Sequence, residues 1–436
     1  MEPVFAANEV LQKHLSGLLL CDTGVPTGLE SARQFHITAL TGTDFAPGSP
    51  LNVVVTANEV NDRHGTGPLL KRVCREWPNI FSMRAENHWG GEQDFGDWHV
   101  CLSPHARTRA GAFHSVLDVL RNHRVETILC VPYLVDEIHV SIALHECFGA
   151  RLCLYLMDDQ NVEAHRIPDD LMREFLQRCS LRLATHPELR QAYEQKFGLP
   201  FHLLPAVVPD SLVLAEPSSV ARTGRSKGAL IGSFWDQTWF DRLCSVLSRC
   251  GRKIDWYGNN KSPWVHFAAK QLTKAGITAH GVIPEDRLAC ELRKYSFVIV
   301  PVGVLDEKEA NTGVARLSLP GRILFAAATS NTPLLVVGSP QTCGARFVAH
   351  FGLGEVVRYE APSVTAAMNR MSEPGVEETF RKAAARIAPG LSDRGVSAWL
   401  QESIRLGEPA DGRFEDLFSE YASCVSGPSK AAHSIG

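Results

Sequence analysis

Two adjacent carboxylates, Asp158 and Asp159, end an apolar run, Leu154-Tyr155-Leu156-Met157, that reads as a buried strand. Side chains alternate along an extended chain, so the two cannot point the same way. One can face a cleft and accept the proton of a substrate hydroxyl while the other caps the turn that follows. Capping by both is the plainer alternative. A second place for chemistry is the loop over residues 58–67, NEVNDRHGTG, between a strand and a helix. Its Gly65-Thr66-Gly67 turn lets backbone N–H groups approach an anion at a helix N-terminus. The third glycine of the dinucleotide fingerprint is missing, and a tight turn without a ligand fits as well. His64 in this loop is a candidate base or substrate contact, and equally a surface histidine.

The second half of the chain offers two further segments. Ile231-Gly232-Ser233-Phe234 opens from a strand into a helix, where free N–H groups can meet a phosphate. Leu317-Ser318-Leu319-Pro320-Gly321-Arg322 precedes an alanine-rich helix and a buried strand. Ser318 stands where an N-cap would, and Gly321 allows close approach. Arg322 places a cation where the helix dipole disfavours one. An anion shared by the helix end and the guanidinium would explain it; a capped helix with a solvated arginine is the alternative. Charge points the same way. Residues 1–213 carry 18 Lys+Arg against 26 Asp+Glu, whereas residues 222–346 carry 17 against 9. An anionic ligand suits that basic stretch, although chance variation of surface charge would also produce it.

These segments need strands to position them. β-Branched or apolar runs at 51–57, 99–102, 127–131, 151–157 and 181–185 alternate with helical stretches at 68–76, 109–121, 136–148 and 171–179. The rhythm breaks at 205–227, where Pro205, Pro209 and Pro217 precede a polar run. It restarts with strands at 229–233, 253–257, 277–282, 297–301 and 333–337. Helices at 238–250, 265–275, 285–294 and 321–329 lie between them. The pattern predicts an α/β protein of two Rossmann-like, doubly wound domains facing a cleft. Residues 51–213 would form the first domain, 214–228 a linker and 229–390 the second. Helices within 391–436 would pack back across the junction. Residues 1–50 read as an extension or part of the first domain.

The 436 residues exceed one core, and no apolar run is long enough to span a bilayer. The twelve cysteines are scattered without C-x-x-C spacing and, with no secretory signal, read as reduced thiols of a cytoplasmic protein. Thirteen of the 17 histidines fall in the first half without H-E-x-x-H, and they read as polar lining and surface. No metal site and no nucleic-acid partner are expected.

The order of elements over 229–357 resembles the donor-binding domain of GT-B glycosyltransferases. The resemblance rests on the glycine turn at Gly232-Ser233, the strand ends Trp256-Tyr257-Gly258-Asn259 and His280-Gly281-Val282-Ile283-Pro284, and SLPGRILFAAATSNTPLLVVG. Over 51–213 the chain is similar to the acceptor domain of these enzymes. The resemblance implies a nucleotide-diphosphate sugar donor, of UDP or GDP type, with no further cofactor and no required metal. The acceptor would be the hydroxyl of a glycan, glycolipid or similar compound, and a lipid-linked acceptor would require peripheral membrane contact. Backbone groups around Val282 and Ile283 would meet the base. Gly232, Ser233, Ser318, Gly321 and Arg322 would surround the diphosphate, with Gly65, Thr66 and Gly67 closing over the donor. Asp158 and Asp159 would lie near the acceptor, and with His64 they are the candidate catalytic groups. The glutamate pair of many retaining members is replaced here by Ser318 and Ala326, so a retaining outcome does not follow from the resemblance; the Ser-x-Pro-x-basic pattern is similar to that of glycosyltransferases that build bacterial polysaccharides and glycoconjugates. A nucleotide-sugar epimerase of the same fold and a non-catalytic binding partner are the alternatives.

Overall fold

The computed structural model describes residues 35, 37–40, 48–63, 65–88, 90–102, 105–217, 227–234, 236–260, 265–306 and 312–426. The first sheet contains β1 (Thr38–Ala39), β2 (Pro50–Thr56), β3 (Ile80–Arg84), β4 (Trp98–Cys101), β5 (Arg124–Cys130), β6 (Arg151–Leu156), β7 (Leu181–Ala184) and β8 (His202–Leu203). Their order is β1-β4-β3-β2-β5-β6-β7-β8, parallel except for the β1 edge. The second sheet contains β9 (Lys227–Ile231), β10 (Lys253–Tyr257), β11 (Ile277–Gly281), β12 (Val298–Pro301), β13 (Leu334–Val337) and β14 (Gly354–Val357). It is parallel throughout, in the order β11-β10-β9-β12-β13-β14. No described helix is long and apolar enough to cross a membrane.

Parallel sheets with helices on both faces need strands that are apolar on both sides, which is why β2, β6 and β13 read as continuous hydrophobic runs. Successive residues nevertheless enter different cores. Val53 and Val55 pack under the helices Arg109–Leu120 and Val135–Phe148, whereas Val54 joins a cluster on the opposite face. That second cluster continues through Ile231, Val300 and Val336 of the second sheet to Trp399 and Tyr421 near the C-terminus. A third covers the other face of the second sheet through Trp256, Phe240 and Met368. Each such buried side chain contributes about 1.5–3 kcal/mol of transfer free energy.

The chain crosses the junction twice. Val208 bridges to Ser392, its N–H donates to Leu391 O at 2.8 Å, and Asp393 N–H returns to Val208 O at 2.9 Å. The helices Val396–Leu406 and Arg413–Ser426 then lie on the first domain. Ser397 Oγ accepts from Glu76 N–H at 3.0 Å, and Glu415 Oε1 accepts from Leu203 N–H at 3.0 Å.

Several elements differ from the sequence reading. Strand β3, IFSMR, was not anticipated, because Ser82 and Arg84 break its apolar pattern; all five residues are buried. The helix expected over 68–76 runs Thr66–Val73 and starts two residues early, with Pro68 still inside the first turn, where a missing N–H costs nothing. The helix expected over 265–275 contracts to Ala269–Lys274. Helices at Thr312–Leu317, Cys343–Phe351, Ala361–Met371 and Pro374–Ile387 were not expected. Residues 218–226 of the expected linker lie outside the described residues.

Candidate active site between the two sheets

Among the parallel strands of each sheet the order reverses once, between β2 and β5 and between β9 and β12. A crevice opens at such a point beyond the carboxyl ends of the strands. The chain leaving β2 supplies Thr66, the chain leaving β5 supplies Tyr133, and that leaving β6 supplies Asp158. Thr66 Oγ1 lies 2.9 Å from Tyr133 Oη, which lies 3.5 Å from Asp158 Oδ2. Tyr133 is fixed from behind: its N–H and that of Leu134 donate to the buried Glu137 carboxylate at 3.0 and 2.7 Å. The other oxygen of Asp158 accepts from Ser318 Oγ, on the second domain, at 2.8 Å. Burial pushes the Asp158 carboxyl up to about 6, against the hydrogen bonds from Ser318 and Tyr133 that favour the anion.

Asp159 has a different occupation. Its Oδ1 accepts from the N–H groups of Asn161 and Val162 at 3.0 and 2.8 Å and from Tyr193 Oη at 3.0 Å. Its Oδ2 accepts from Glu163 and Ala164 N–H at 2.7 and 3.0 Å. With no exposed surface, it shapes the turn after β6 and does not reach the cleft.

On the facing sheet, Arg322 donates from Nη1 to Ile231 O at 3.0 Å and from Nη2 to Ser233 O at 2.6 Å. These two carbonyls flank Gly232, whose φ of +81° suits glycine; a Cβ there would stand 3.3 Å from the guanidinium. Burial pulls Arg322 down to about 10, so it stays charged at neutral pH. Among the described residues no carboxylate pairs with it. It also stands in the first turn of the helix Gly321–Ser330, whose N-cap is Pro320 and which has no side-chain cap. Guanidinium and uncapped N–H groups thus combine into a positive pole at the end of β9. The N-cap expected of Ser318 is a correction: Pro320 occupies that position, and the Ser318 hydroxyl is spent on Asp158 instead.

No family model matches the chain, and no curated protein matches it in sequence. Its architecture is nevertheless shared with solved structures. The complex of Anabaena HepE with UDP and glucose superposes with a TM-score of 0.56 at 11% identity, over 82% of this chain and all of that one. A UDP-N-acetylglucosamine 2-epimerase superposes with a TM-score of 0.51 at 11% identity, over 89% of this chain and 99% of that one. The fold is GT-B.

Within the GT-B cleft the remaining expected residues divide. Gly65 would meet nothing within 4 Å if it carried a Cβ, so no packing contact requires a glycine there. A Cβ on Gly67 would fall 1.8 Å from Asn61 O, which makes that glycine a packing requirement of the helix start. Val282 is 52% exposed at the end of β11, a surface an apolar ligand face can cover, while Ile283 packs partly into the core. His280 turns its ring onto Tyr257, 4.9 Å between centroids, and bonds Asp255 Oδ1 at 3.0 Å. His64 lies outside the described residues.

Other groups at the junction carried no sequence signal. Arg72 binds both carboxylate oxygens of Glu285 across the domains and donates to Val207 O at 2.8 Å. His186 is fully buried and donates from Nε2 to Leu317 O at 2.7 Å, correcting its reading as lining or surface. Burial pulls its ring down to about 4. With Glu188 and Cys343 it forms a buried trio whose ligand-type atoms lie within 4.8 Å of one another. Both ring nitrogens of His186 and one oxygen of Glu188 are already engaged. Glu188 Oε1 takes Arg346 Nε at 2.7 Å and Tyr421 Oη at 2.8 Å, His186 Nδ1 lies 2.9 Å from Thr185 Oγ1, and the arginine charge opposes a cation.

Proposed function

We propose that this protein transfers a sugar from a nucleotide-diphosphate sugar, of UDP or GDP type, to the hydroxyl of a glycan, glycolipid or similar acceptor. The observation that carries the reading is the turn at Ile231–Ser233: a guanidinium with only carbonyl partners beside an uncapped helix start, at the switch point of a parallel sheet. A diphosphate supplies the charge that this arrangement lacks. Gly232, Ser233, Gly321 and Arg322 would hold it, with the base near Val282 and Ile283 and the Gly65–Gly67 turn opposite. No metal is needed for this chemistry, because the same donors stabilise the departing charge.

Asp158 is the base in this reading. It stands at the interface with the donor domain, and a carboxyl near 6 accepts a proton more readily than an ordinary one while remaining mostly ionised at pH 7. The acceptor hydroxyl gives its proton to Oδ2 and its oxygen forms the bond to the anomeric carbon. The bond from that carbon to the diphosphate breaks, and its electron pair leaves with the diphosphate. Direct displacement inverts the anomeric centre. Asp159, saturated by five donors, keeps the loop rigid.

The test is a thermal-shift panel of UDP, GDP, ADP and TDP, followed by product analysis with the nucleotide sugar that binds. At a hundred times its Kd a specific ligand stabilises the fold by about 2.7 kcal/mol. No response to any nucleoside diphosphate sinks the donor reading. Epimerised nucleotide sugar formed without an acceptor would reassign the reaction to an epimerase.

A further inference from the structure

We propose that Tyr133 is a positioning residue whose hydroxyl switches partner when the donor occupies the Gly65–Gly67 turn, releasing Oδ2 of Asp158 for the acceptor. The inference rests on Asp158 being the base and deepens that reading.

A carboxylate only accepts, so along the 3.5 Å contact Tyr133 is the donor, and Thr66 Oγ1 then donates to Tyr133 at 2.9 Å. The relay runs Thr66 to Tyr133 to Asp158. Its second link lies at the outer limit of a hydrogen bond, whereas its first is short. Reversing the first link therefore takes little movement: Tyr133 donates to Thr66, and Oδ2 loses its donor. Oδ1 is held by Ser318 in either state, so Oδ2 is the oxygen the relay controls.

An anion at the Gly65 turn supplies the reason to reverse. Thr66 opens the helix Thr66–Val73, and its hydroxyl would donate to a phosphate oxygen there, leaving its own oxygen to accept from Tyr133. Glu137 holds the backbone of Tyr133 and Leu134, so the reversal is a turn of the hydroxyl about its C–O bond and needs no backbone movement. The proton on Tyr133 thus reports whether the turn is occupied. The charged groups acting on Asp158 from its surroundings are Arg166 and Asp159, and neither lies on the Thr66 turn.

The experiment follows the Asp158 carboxyl carbon by NMR titration, free and with saturating UDP, in wild type, Tyr133→Phe, Thr66→Val and Thr66→Ser. In wild type UDP moves the midpoint upward, through the lost hydrogen bond and the added negative charge. Tyr133→Phe starts from a raised midpoint and moves less with UDP, since only the charge effect remains. Thr66→Val also moves less than wild type, and Thr66→Ser restores the full shift, which a merely structural role for Thr66 would not require. Equal UDP-induced shifts in wild type and Tyr133→Phe overturn the relay, as does a wild-type midpoint that UDP leaves in place although it binds. Loss of UDP binding itself, read by calorimetry on the wild type, removes the donor reading and the relay with it.

Discussion

Two turns at the carboxyl ends of the two sheets, residues 158–164 and 231–233, hold charged groups in opposite ways. In the first, Asp159 receives four backbone N–H groups and a tyrosine hydroxyl and is sealed from solvent. In the second, Arg322 donates to two carbonyls and meets no counter-charge among the described residues. The contrast separates a charge that builds the fold from one that remains available. A saturated carboxylate stabilises its loop and has nothing left for a ligand; a guanidinium on neutral acceptors retains its field. Asp158 stands between these cases, with one firm donor, one long one, and a raised affinity for protons.

The comparison can be broken most decisively at Asp158. Replacing it by Asn should lower transfer by about 10²–10⁴-fold while leaving UDP affinity within a few-fold of wild type. Loss of UDP binding in this variant would mean that Asp158 belongs to the donor site. In the wild type, transfer should fall as pH drops below about 6, because the carboxyl must be ionised to accept a proton. A flat rate from pH 5 to 8 would argue against that role. Arg322→Ala should weaken UDP binding and transfer by about 100-fold, measured by calorimetry and initial rates. Unchanged binding would show that the turn at 231–233 is merely structural. Asp159→Asn should act on stability, by about 2 kcal/mol in urea unfolding, because the amide nitrogen that replaces one oxygen presents N–H groups to partners that are themselves donors. Gly232→Ala should have the smallest effect, about 1 kcal/mol from the positive φ, together with a modest loss of UDP affinity as Arg322 shifts.

Much of the architecture was legible because it is written locally. The runs NVVVT and LCLYL are apolar on both faces, as covered parallel strands must be. The glycine at 232 marked a turn, and the proline-rich stretch after residue 204 marked the crossing between domains. Strand β3 was illegible because Ser82 and Arg84 hide a strand that is buried throughout. The helix expected over 265–275 was overdrawn because its first residues run without helical bonding beside residues 261–264, which lie outside the described residues.

The site was legible as residue types and illegible as partnerships. Reading the run up to Asp159 as extended already set Asp158 and Asp159 apart, although β6 ends at Leu156 and the turn after it is what separates them. The cation at Arg322 was out of place for the helix dipole. Which carboxylate meets the other domain was not determined, because Ser318 lies 160 residues further along the chain. Tyr133, His186 and Arg72 carried no spacing that could single them out. The sequence by itself determined two doubly wound sheets and the turns at the ends of their strands, since periodicity and turn chemistry act between near neighbours. Only the tertiary structure decided that Asp159 is consumed by its own turn, that Asp158 reaches Ser318 and Tyr133, and that Arg322 lacks a counter-charge. The physical reason is that the protonation and availability of a charged group depend on burial and on hydrogen-bond donors brought together by packing, whatever their separation in the chain.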